Sequence, residues 1–94
     1  MKNIRATERH FSFLASCVTG YDVTVNITGD PSYVGFTQMP SNGKANITLS
    51  YATRLYEGFS ERKTLVMMLG VLAHECLHLC YTDFDAYNAK TVVL

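Results

Sequence analysis

Residues 21–28 alternate without a break, with Tyr21, Val23, Val25 and Ile27 on one side and Asp22, Thr24, Asn26 and Thr28 on the other. Successive side chains of a strand leave opposite faces, so this stretch predicts a half-buried strand. Residues 45–51 repeat the pattern, with Ile47, Leu49 and Tyr51 opposed to Asn46, Thr48 and Ser50. Between them, residues 33–39 predict a further strand, weakened by Gly35, which leaves a gap in side-chain packing. Asn42-Gly43 carries the hairpin signal into the next strand, and Gly29-Asp30-Pro31-Ser32 is a turn cluster.

The period changes at both ends of the chain. Over residues 3–19, Ile4, Phe11, Leu14, Ala15 and Val18 form one stripe, and Arg5, Glu8, Arg9 and Ser12 lie largely opposite. That predicts an amphipathic helix, closed by Gly20. Residues 61–81 are apolar nearly all round and predict a central, buried helix, with Ser60 as N-cap and Glu61 in the favourable first turn. Residues 52–59 suggest a short helical turn around Leu55 and Tyr56; after Tyr81 the helix ends, and residues 86–94 suggest a short helix or an ordered tail. The expected fold is α+β: an N-terminal helix, a three-stranded mostly antiparallel sheet with its apolar face on the helices, and a buried C-terminal helix. Residues 1–94 form a single domain in this reading.

Composition adds limits. A 94-residue chain with 48% apolar and 17% charged residues is a folding chain. Eight basic and eight acidic residues cancel, so neither nucleic acid nor an anionic membrane is an expected partner, while protein partners stay open. Cys17, Cys76 and Cys80 are odd in number and predict reduced thiols rather than a disulfide framework; the last two are expected to face the core. Leu14-Ala15-Ser16-Cys17 has the look of a lipoprotein cleavage site, but Glu8 and His10 interrupt the leader an export signal would need. The two glycosylation sequons, Asn26-Ile27-Thr28 and Asn46-Ile47-Thr48, therefore carry no weight. With no charge-free stretch of bilayer-spanning length, the expected location is cytoplasmic.

The chemistry sits in the last helix. His74-Glu75-Cys76-Leu77-His78 places two imidazoles one helical turn apart, on one face, where they can share an ion. Imidazole nitrogen is a zinc donor, and Glu75, about 100° further round, is offered as the base that takes a proton from a zinc-bound water. The competing account is a pair of hydrogen-bonded core or rim histidines. The histidine stripe also holds Met67, Gly70, Val71 and Tyr81. Met67 is expected in the core. Gly70 is read as room for a ligand or crossing strand, or as a close helix–sheet contact. Tyr81 is read as an oxyanion donor, or as a ring that merely packs.

Helix, strands and then a helix bearing His-Glu-x-x-His resemble the minimal zincin metallopeptidase core. The resemblance implies His74 and His78 as zinc ligands, Glu75 as general base, and a peptide held by strand addition at a sheet edge. More narrowly, Ala73 to Phe84 is similar to the metallopeptidase-like region of bacterial and phage proteins that often continue into a von Willebrand A-type domain. The third ligand departs from the family patterns: the metzincin glycine and third histidine are missing, and no glutamate follows Glu75. Asp83 is the favoured third ligand, with Asp85, His10 or water alone as alternatives. The expectation is a zinc-dependent peptidase acting on peptides or proteins. Its rivals are a catalytically silent, phage-borne protein-binding or inhibitor module with a tyrosine-rich surface, and a fragment of a larger metallopeptidase.

Overall fold

A computed structural model of the chain describes residues 2–81 and 91–93. The order is α1 (Ile4–Thr19), β1 (Asp22–Thr28), β2 (Gly35–Ser41), β3 (Lys44–Ser50), a 3-10 turn (Arg54–Tyr56), α2 (Glu61–Tyr81) and β4 (Thr91–Val93). Local signals account for most boundaries. Gly20 ends α1 at φ 78°, returning its N–H to the Ser16 carbonyl. Asn42 and Gly43 both take positive φ, which turns β2 tightly into β3. Ser60 Oγ accepts from the Lys63 N–H at 3.1 Å and so caps α2.

The α+β class, the N-terminal helix and the C-terminal helix follow the sequence; the sheet corrects it. Its strand order is β1-β3-β2-β4, four strands rather than three, and it is mixed. β2 runs antiparallel to β3, but β1 and β3 are parallel, with Val23 beside Ala45 and Ile27 beside Leu49. β3 returns into the position between β1 and β2, so residues 29–34 step across a strand position. Alternation specifies which face a residue takes, not which strand lies beside it.

Both helices pack on one face of the sheet. Val23, Val25, Ile27, Ile47 and Leu49 are buried there with Phe11, Ala15, Met68, Leu72, Cys76 and Leu79. The opposite face carries exposed Thr24, Asn26 and Asn46, although Thr48 and Ser50 are buried against expectation. Ser50 is held by its hydroxyl, which donates to the Asp30 carbonyl.

α1 does more than cover the core. Glu8 Oε2 accepts from the Ile27 N–H at 2.8 Å, Ser12 Oγ from the Val25 N–H at 2.8 Å, and Ser16 Oγ from the Val23 N–H at 2.9 Å. These are the outward donors of β1, the strand at one end of the sheet. The spacing is commensurate: four helical residues rise about 6 Å, close to the roughly 6.7 Å of two strand residues. The outward amides of β1 are thus occupied by side chains.

α2 departs most from expectation. It is not buried all round: Thr64, Met68, Leu72, Glu75, Cys76 and Leu79 face inwards, while Val66, Met67, Leu69, Leu77 and Tyr81 are exposed. Met67 is therefore not core. Cys80, expected inside, is exposed, as is Cys17; both are free thiols. Leu14, Val18, Leu69, Leu77 and Cys80 help to line an apolar groove of about 480 Å³ between the helices. By length and mean hydropathy α2 would also suit a bilayer, although it carries Glu75 and 33% of that stretch is buried in the fold.

Candidate metal centre

α2 is positioned on the sheet by a glycine, but not by Gly70. A methyl group built on Gly70 would meet nothing within 4 Å, so no close contact is made there. The close approach is at Gly35 of β2, where an added methyl would lie 3.0 Å from Leu49 Cδ2, 3.1 Å from the Thr48 carbonyl oxygen and 3.1 Å from Val71 Cγ1. The gap noticed in the strand is the seat for α2.

Val71 fixes which flank of α2 lies towards β2. At about 100° per residue, His78 is about 20° and His74 about 60° beyond Val71. The far flank, with Leu69, Cys76 and Cys80, lines the groove shared with α1. The histidines therefore project on the β2 side, away from α1.

His74 is exposed and His78 half-buried. Their Nε2 atoms are 3.0 Å apart, the ring centroids 4.7 Å and the ring planes at 81°. Without metal this separation is a hydrogen bond, one ring donating and the other accepting. Two nitrogens each about 2.0–2.1 Å from one tetrahedral zinc would be about 3.3–3.4 Å apart. The observed separation is a few tenths of an ångström shorter than that.

Glu75 lies beneath them and is fully buried, at 0% exposure. Thr37, on the inward face of β2 and also buried, donates its hydroxyl to Glu75 Oε2. Oε1 has no hydrogen-bond partner among the described residues. Burial pushes the Glu75 carboxyl above the ordinary glutamate range; the Thr37 hydrogen bond opposes that most, followed by the positive charge available at His78 and His74. Burial also pushes the Cys76 thiol up, with Cys80 and Glu75 adding to the effect, so Cys76 is a poor nucleophile here.

The third ligand is a different matter. Among the described residues, no three His, Cys, Asp or Glu side chains gather as a metal group. Asp83 and Asp85 lie outside the described residues. His10 is exposed on α1, against Leu65, Val66 and Leu69, and not with the histidine pair. Tyr81 is 83% exposed and borders the apolar groove. Thr37 was missed by the sequence reading; its only signal is a hydroxyl on the inward-facing register of β2, opposite Ile47. Comparison of the chain with protein-family models, with curated proteins and with solved structures gives no match.

Proposed function

We propose that the chain is a zincin-like, zinc-dependent peptidase domain, with His74 and His78 as metal ligands and Glu75 as general base. The observation that carries this is the convergence of two Nε2 atoms to 3.0 Å on the helix flank that also buries an incompletely satisfied carboxyl. Asp83 is proposed as the third ligand on chemistry and chain position alone.

A zinc ion held there supplies a water acidified towards neutrality. Glu75 is suited to receive that water's proton, because its Oε1 is uncommitted and burial makes the ionised carboxylate more basic than a surface one. Thr37 holds the other carboxyl oxygen and sets the orientation of the group. Since the carboxyl is fully buried, turnover requires the seam between α2 and β2 to admit water.

That burial supports a second reading. Glu75 would be a structural tie between α2 and β2, and the domain a binding module that keeps the metal scaffold without cleaving. Metal analysis of the purified protein with a peptide-library digest separates the two. On the peptidase reading, Glu75→Gln keeps its zinc and loses hydrolysis by about 10²–10⁴-fold, and His74→Ala loses both. A fully active Glu75→Gln would falsify the mechanism; zinc bound stoichiometrically without any hydrolysis would favour the module.

A further inference from the structure

The helix layer turns a second face outwards, away from the sheet. α1 and α2 run side by side in one direction: the Lys2 N–H donates to the Glu61 carboxylate at their starts, and Val18 and Tyr81 line one groove at their ends. On this face Phe13, Val18, Val66, Leu77 and Tyr81 are each more than half exposed, and Leu69 nearly half. α1 has no Asp, Glu, Lys or Arg from His10 to Thr19, and from Thr64 to Tyr81 α2 has only Glu75, which is buried. We propose that this face is the interface of a homodimer, in which α2 packs antiparallel against α2 of a second copy, about a two-fold axis between Gly70 and Ala73.

Three observations point to a second copy. The first is area. At these exposures the six side chains leave on the order of 700 Å² of surface in water, more than the roughly 300–600 Å² of the largest apolar patch on a typical monomer and close to the roughly 800 Å² that each partner brings to a standard interface. The second is pattern. Val66, Gly70, Ala73 and Leu77 are exposed at steps of four, three and four residues, the seam spacing of paired helices. Their sizes run bulky, small, small, bulky, which reads the same from either end. With the helices turned end for end, Leu77 of each copy meets Val66 of the other and Gly70 meets Ala73, the self-complementarity that a two-fold interface requires. The third is Gly70 itself. A glycine inside a helix weakens it relative to alanine, and among the described residues nothing lies within 4 Å of where its side chain would stand. Facing Ala73 of a second copy, it lets the two helix axes approach to about 8 Å. A bilayer fits this face less well, because surface-bound helices are rich in Lys and Arg beside their apolar stripe, whereas this chain has eight basic and eight acidic residues. None of this rests on the peptidase reading, although the second copy stands beside His74, about 40° round α2 from Gly70.

The experiment is sedimentation equilibrium of the full chain with EDTA and a reductant, so that neither zinc shared between two copies nor a disulfide through Cys17 or Cys80 can join them. A dimer with a Kd of about 10 µM or tighter is expected. Ala73→Arg places a charge beside the axis twice per dimer, and should weaken association by about a hundredfold or more while the circular dichroism stays native. Should that variant fail to fold, Leu77→Arg takes its place. Leu55→Arg, exposed in the 3-10 turn and outside this face, should leave the dimer intact. With Cys17→Ser and Cys80→Ser as background, a Gly70→Cys chain should cross-link to an Ala73→Cys chain about fivefold or more faster than either does to itself. A native chain that stays monomeric at about 100 µM overturns the proposal, including one that floats with phosphatidylcholine vesicles, which would assign the face to a bilayer. So does a dimer indifferent to the arginine on α2, a dimer lost equally with Leu55→Arg, or cross-linking without the expected preference.

Discussion

The β1 edge and the β2 edge of the sheet face the same problem, a row of main-chain donors that the pairings with β3 leave open, and solve it with different materials. At β1 the solution is three side chains from α1, which is itself anchored in the core through Phe11 and Ala15. Removing that cover means removing α1 from the sheet. At β2 the cover is a three-residue strand whose described pairing is main chain to main chain. The difference separates an edge closed by side chains from one closed by a strand. The histidine pair sits on the flank of α2 turned from α1 and towards the β2 edge.

The largest effect that would sharpen this contrast is at β1. Replacing Glu8, Ser12 and Ser16 together by Ala leaves three part-buried amides without partners, at about 1–3 kcal/mol each before water repairs some of the loss. A total near 3–5 kcal/mol is expected, a large share of the roughly 5–15 kcal/mol a domain holds. Val92→Pro at the other edge is expected to shift global stability by less than about 1 kcal/mol, because the described pairing it disturbs spans three positions at the margin of the sheet. Urea unfolding of the two variants measures both. Were Val92→Pro the more costly, the two edges would have exchanged roles.

That stripe shows where the sequence was legible and where it was not. The faces of β1, the apolar face of β3, the Asn42-Gly43 turn, the Ser60 cap and the meeting of His74 with His78 all follow from local rules of spacing or backbone shape. Glu8 and Ser12 look like a solvated helix face, because period alone cannot tell water from a neighbouring strand edge as the hydrogen-bond partner. Glu8, Ser12 and Ser16 at four-residue steps, against Ile27, Val25 and Val23 at two-residue steps, was a readable signal, since those rises nearly match. The parallel pairing of β1 with β3 was not readable, because strand neighbours are decided by tertiary packing. The one-sided burial of α2 was not either: apolar composition says which residues can be buried, not how much of the helix the rest of the chain is able to cover.

A smaller effect tests how α2 is seated beside the β2 edge. Gly35→Ala brings a methyl group to about the distance where Leu49, Val71 and the Thr48 carbonyl must each give by a few tenths of an ångström. Leu49 can yield, but the Thr48 carbonyl belongs to the neighbouring strand, so a loss of about 1–2 kcal/mol is expected. Because Val71 is the contact that sets the histidine flank against β2, the zinc affinity proposed for His74 and His78 should weaken in the same variant, by calorimetric titration. A comparable loss of stability with unchanged zinc affinity would show that the flank is positioned by something other than the Gly35 seat.

The smallest effect is the pH dependence contributed by Glu75 in the metal-free protein. Burial raises the Glu75 carboxyl, so the folded state keeps that proton to a higher pH than the unfolded chain does. The resulting stability is fully present below the ordinary carboxylate range and is lost as pH rises through the raised folded value. Glu75→Gln has no such proton. The stability of the native chain minus that of Glu75→Gln should therefore be greatest at acid pH and fall on raising the pH towards neutrality, measured by urea midpoints in EDTA. A gap that stays flat across that range would mean that the carboxyl binds its proton equally in the folded and unfolded states, and hence that Thr37 and the two histidines offset its burial completely.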